Sequence, residues 1–95
     1  MYAVIFKATV KQLDDEYSQT AKRMRELAIE KYGCLDFVSS LEKDQEIAIS
    51  YWEDEQHIVS WKQDKEHLKA QALAAKKWYS SYSVEITKIQ RRYSS

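Results

Sequence analysis

Two histidines flank a tryptophan in this chain: His57 lies four residues before Trp61 and His67 six residues after it. An imidazole whose ordinary pKa is near 6.5 suits a proton acceptor at neutral pH, and His67 is the first candidate for that role. His57, four residues from Trp61, falls on the same helical face and is the second. Trp61 offers an indole N–H to a ligand oxygen. At helical spacing from Ile58 it is equally a core residue, just as His67 beside Glu66 is equally a helix-surface residue. The ten-residue spacing of the two histidines fits no zinc motif, so no metal site is expected. Lys7, Arg91 and Arg92 would neutralise an anionic ligand at a sheet edge, or sit in solvent and in subunit ion pairs of small worth.

Composition narrows what surrounds these residues. The 95-residue chain is the length of one domain, 1–95, with 15 basic and 15 acidic residues. Zero net charge argues against a nucleic-acid partner, which calls for a basic excess, and equally against a membrane-surface protein. One glycine, Gly33, is too few for a phosphate-binding loop, a dinucleotide fingerprint or a serine nucleophile elbow. One cysteine, Cys34, forbids an internal disulfide and fits a cytoplasmic location. No apolar run approaches the roughly 18 residues of a membrane span, and no signal peptide is read at the start.

The elements that position the histidines follow from hydrophobic periodicity. Met1–Val10 reads as a strand that is apolar on both faces over its first half. Asp14, Asp15 and Glu16 open a helix whose stripe runs through Leu13, Tyr17, Ala21, Met24 and Ala28 and which stops at Tyr32, before Gly33. Cys34 then follows a helix C-terminus, the wrong pole for stabilising a thiolate nucleophile. Cys34–Glu42 and Glu46–Trp52 read as two strands joined by a polar turn over Lys43–Gln45. Glu53–Asp64 and Lys65–Ser80 read as two helical pieces with a kink near Gln63–Lys65. Tyr82–Tyr93 reads as a closing strand with a bulge near Thr87 or burial on both sides.

The order βαββαβ is that of a ferredoxin-like α+β domain, a four-stranded antiparallel sheet with helices on one face. One face of the first and third strands packs on those helices. Their second apolar face then calls for another copy of the chain, sheet against sheet, in a homodimer.

The segment from Ile47 to Gln71 carries a further pattern. Ser50-Tyr51-Trp52 ends a strand, Asp54-Glu55 starts a helix, Trp61-Lys62 follows, and Glu66-His67 with Ala70-Gln71 opens the next helix. This resembles the antibiotic biosynthesis monooxygenase family of dimeric α+β barrel proteins, and Arg91-Arg92-Tyr93 looks like that family's closing strand. The resemblance implies a pocket between sheet and helices, and in some members oxidation of phenols, quinols or anthrones by O₂ with no cofactor. On it, His67, with His57, would assist deprotonation, Trp61 would orient a small aromatic substrate, and Phe6, Ile49, Tyr51 and Trp78 would form a dry wall.

The chain departs from the family in having no asparagine, so an asparagine–tryptophan–tyrosine constellation is not intact here. The same gap weakens the haem-degrading branch, whose ligating histidine would fall ten residues after Trp61, at Gln71. Gln71 then belongs to the expected pocket. Three functions stand at this level: a cofactor-independent monooxygenase, a haem-binding or haem-degrading protein, and a non-catalytic ligand-binding or stress-response dimer.

Overall fold

The computed structural model describes all 95 residues. Strand β1 (Tyr2–Val10) is followed by helix α1 (Asp15–Lys31), β2 (Asp36–Glu42), β3 (Gln45–Trp52), helices α2 (Glu55–Gln63) and α3 (Lys65–Leu73), a π-helical turn (Ala74–Trp78) and β4 (Tyr79–Lys88). The strands form one sheet in the order β2-β3-β1-β4, antiparallel at every pairing. This is the ferredoxin-like α+β arrangement expected from the periodicity.

Local signals set most of the boundaries. Asp14 caps α1 by accepting from the Tyr17 amide at 2.8 Å, and Gly33 leaves the helix at a φ of 78°, which a side chain would strain. The Cys34 amide then reaches six residues back to the Ala28 carbonyl at 2.9 Å and closes the helix end. Asp64 ends α2 and caps α3 through the Glu66 amide at 2.8 Å, which is the physical cause of the expected kink.

Strand alternation divides the sheet into two faces. Tyr2, Val4, Phe6 and Ala8 of β1 lie opposite Trp52, Ser50, Ala48 and Glu46 of β3, and this set faces the helices. Val4 and Trp52 join Leu27, Ala28, Cys34, Ile58 and Trp61 in the core. Ile5, Ile47, Ile49 and Tyr51 lie on the other face with Val38, and there Ile47 and Val38 stay 43% and 48% exposed. That open apolar face is the one the periodicity required.

Four boundaries differ from expectation. β2 begins at Asp36, because the chain first closes the α1 end through Cys34. The last helix ends at Leu73, in spite of the alanines that follow. There the chain widens into the π turn, which carries the Trp78 indole N–H to Asp14 at 3.1 Å and its ring edge-on to Tyr17. β4 therefore starts at Tyr79, and its irregularity falls opposite Thr9 and Val10, not at Thr87. It ends at Lys88 and not at Tyr93, because β1 has no residue before Tyr2 left to pair with it, so Arg91, Arg92 and Tyr93 lie outside the strand.

Candidate functional site

A cavity of about 190 Å³ lies between the helix-facing side of the sheet and the helices α1 and α3. Its volume exceeds that of an apolar cavity of ~150 Å³ known to hold benzene, so a ligand of one or two aromatic rings fits. Fourteen of its 22 lining residues are hydrophobic, which gives it a mainly apolar wall with polar groups set into it. Those polar groups gather at two ends.

One end is built by α2 and α3. His67 packs edge-on against Trp61, ring centroids 4.5 Å apart, and Trp61 in turn meets Phe37 at 6.2 Å and Trp52 at 5.2 Å. The Trp61 Nε1 and the His67 Nδ1 are both buried without a hydrogen-bond partner within the chain. Burial, assisted by the Lys62 charge and opposed by Asp64, pushes the His67 pKa down to about 4. The imidazole is therefore neutral at pH 7. Lys62 and Arg25 line the cavity as well, and the Arg25 guanidinium sits 5.3 Å from the centre of the Phe37 ring. This end favours negative charge.

The other end is built by β3 and β4. Glu46 is only 7% exposed, and it is the only carboxyl residue lining the cavity. Tyr79 donates its hydroxyl to Glu46 Oε2 at 2.7 Å, while Oε1 is buried with no partner. Burial raises the Glu46 pKa above its ordinary value, against the hydrogen bond from Tyr79, and burial followed by that bond raises the Tyr79 pKa. The rings of Phe6 and Tyr79 lie 5.4 Å apart, and Tyr17 stands edge-on to both Tyr79 and Trp78.

The expected site residues separate into two groups. His67, Trp61, Phe6, Trp78 and Gln71 line the one cavity, and the Gln71 amide donates to the Tyr82 hydroxyl at 3.4 Å. Ile49 and Tyr51 do not line it, because they alternate with Ala48 and Ser50 and so occupy the opposite face of the sheet. His57 does not line it either. It is exposed on α2 beside the α1 C-terminus, its Nδ1 3.3 Å from where a Cβ on Gly33 would sit. Sharing a face with Trp61 was insufficient, since Trp61 packs in the core while His57, a turn earlier, abuts the α1 end at Gly33.

Glu46 escaped the sequence reading, although a signal was present. In Glu46, Ala48, Ser50 and Trp52 the residues alternate on one face, so the tryptophan that must be buried carries the glutamate to the same side. Lys62 and Arg25 left no comparable signal. No group of three His, Cys, Asp or Glu side chains is assembled as a metal cage, and no helix is long and apolar enough to cross a membrane.

Residues 1–73 match the antibiotic biosynthesis monooxygenase family. The chain belongs to that family. Among its relatives, the uncharacterized protein YqjZ of Bacillus subtilis (strain 168) is 37% identical over 92 residues, covering 96% of this chain and 81% of that protein. SnoaB, a cofactor-independent oxygenase from Streptomyces nogalater, superposes with a TM-score of 0.80 at 13% identity, over 96% of this chain and 94% of that one. A conserved protein from Methanosarcina mazei Go1 gives a TM-score of 0.79 at 18% identity, over 92% and 90% of the two chains. At these identities the two solved structures establish a shared fold, and the antibiotic biosynthesis monooxygenase family itself rests on the sequence match.

Proposed function

We propose that this family member is a cofactor-independent monooxygenase acting on a small electron-rich phenol, quinol or anthrone. The observation that carries the reading is His67, neutral and packed on Trp61 at the cationic end of an apolar cavity. In such a reaction the substrate supplies the electrons. A phenol loses its hydroxyl proton, the anion passes one electron to O₂, and the two radicals combine to a peroxide on the ring carbon. Loss of water leaves a carbonyl, so one oxygen atom ends in the product and the other in water.

The chain's part is to favour the anion and exclude bulk water. His67 accepts the hydroxyl's hydrogen bond. Its depressed pKa makes outright transfer costly, since a gap of about 6 units from an ordinary phenol is roughly 8 kcal/mol. The positive charges of Lys62 and Arg25, and the pairing of the new imidazolium with the phenolate in a poorly solvated site, act against that cost. Trp61 orients the ring and can offer its N–H to an oxygen. We assign the homodimer to the open apolar sheet face around Ile5, Ile49 and Tyr51.

Haem is a poor fit to the residues present. Gln71 stands where a ligating histidine would be needed and is bonded to Tyr82, and a cavity of about 190 Å³ is far smaller than a porphyrin.

Oxygen uptake by the protein offered anthrones, naphthols, naphthohydroquinones and catechols tests the proposal. Turnover above autoxidation, lost in His67→Ala, supports it. Silence across the panel, with binding retained, would leave a ligand-binding dimer in its place.

A further inference from the structure

The Glu46 carboxyl takes no part in the reaction just described, yet it is buried in the wall of the same cavity with half of its hydrogen-bonding capacity unused. A buried carboxylate oxygen without a donor is costly. No donor of the chain is bonded to it. Tyr79 spends its single proton on Oε2. The Trp52 indole donates to the Ser50 hydroxyl at 2.8 Å and the Gln71 amide to the Tyr82 hydroxyl, and neither hydroxyl nor the amide is bonded to the free oxygen. Arg25 is drawn off to Ser39 at 2.9 Å and to the face of Phe37. An oxygen left open in a cavity wall can take its donor from a ligand.

The register separates this carboxyl from the His67 end. Phe37, which meets Trp61, pairs with Ser50 on β3, four residues from Glu46. Four residues of strand span about 13 Å, so the carboxyl is set well along the cavity wall from the Phe37–Trp61–His67 stack, and the cavity between has the volume for up to two rings. Between them lie Phe6, opposite Ala48, and its β4 partner Val84, with Tyr17 and Trp78 packed at the Tyr79 end. An aryl hydroxyl donates to the free oxygen and lays its ring against those side chains.

We propose that Glu46, held by Tyr79, is a second hydroxyl-binding pole of the cavity, and that the ligand is a two-ring aromatic carrying a hydroxyl at each end. One hydroxyl engages His67, and the other donates to Glu46. The proposal rests on the oxygenase reading for the identity of the first hydroxyl, and names the half of the substrate which that reading leaves open.

Titration calorimetry with naphthalene, 2-naphthol and 2,6-dihydroxynaphthalene tests it without turnover. The wild type is expected to bind the diol on the order of tenfold more tightly than 2-naphthol, as a hydrogen bond to a charged group predicts. Glu46→Leu should abolish that advantage while leaving 2-naphthol affinity in place. Glu46→Gln, which keeps the shape should the leucine variant fail to fold, should cut it at least threefold, because an uncharged acceptor is weaker. No advantage of the diol in the wild type, or an advantage undiminished in both variants, overturns the pole. Oxygen uptake on the same probes keeps the two proposals apart. Turnover without a Glu46-dependent preference removes the pole and retains the oxygenase, and a Glu46-dependent preference without turnover does the reverse.

Discussion

Tyr79 on β4 donates its hydroxyl to Glu46 on β3 across 2.7 Å, reaching over β1, the strand that lies between them. The bridge passes above Ala8, the β1 residue paired with Glu46, whose side chain is small enough to leave room for it. One hydrogen bond thus ties two non-adjacent strands and fixes a carboxyl at the cavity wall.

Tyr79→Phe removes the only donor that Glu46 has within the chain. Leaving both carboxyl oxygens unpartnered in a buried site costs about 1–3 kcal/mol. Urea unfolding at pH 7 should show a midpoint lowered accordingly, and Tyr79→Phe combined with Glu46→Leu should recover part of the loss, because the second change removes the stranded polar group. An additive double variant would mean that the pair is not coupled.

His67 ties stability to pH in a defined window. Above pH 6.5 the imidazole is neutral in both the folded and the unfolded chain and adds no pH dependence. As pH falls from 6.5 towards about 4, the unfolded chain binds a proton that the folded one refuses, so stability drops. Below the folded pKa the loss is complete, at about 3 kcal/mol. The wild type should therefore lose about 2–3 kcal/mol more than His67→Phe between pH 7 and pH 4.5 in denaturant titrations. Parallel losses in the two proteins would show that His67 titrates normally.

Gly33→Ala should destabilise by about 1–2 kcal/mol, since its φ of 78° is strained for any side chain. The new Cβ also comes within 3.3 Å of the His57 ring. In a His57→Ala background the steric part should vanish and the backbone part remain. Thermal melts of the four proteins in that cycle separate the two contributions.

Ile49→Asp places a charge in the middle of the open sheet face, opposite Ile5 and away from the cavity. If that face is the dimer seam, light scattering at micromolar concentration should give twice the 11.3 kDa chain mass for the wild type and the single chain mass for the variant. A wild type at the single mass removes the sheet-to-sheet dimer.

Element order, the α1 stop at Gly33 and the break at Asp64 were legible in the sequence because each has a local cause: periodicity, a residue that tolerates positive φ, and a side chain that caps. The doubled apolar faces of β1 and β3 were legible for the same reason, since alternation is a property of the strand alone. Local rules failed where a distant partner decided. The alanines after Leu73 favour continued helix, but Trp78 is held by Asp14, 64 positions away, and the chain widens to reach it. Choosing which apolar face of β3 meets the helices required Trp52 to be seen in the core, and that choice moved Ile49 and Tyr51 out of the site and Glu46 into it. The types of residue available for chemistry were set along the chain. Their assembly into a cavity with a neutral histidine at one end and a half-satisfied carboxyl at the other was decided by packing, because burial and unpaired oxygens exist only once other elements have closed around them.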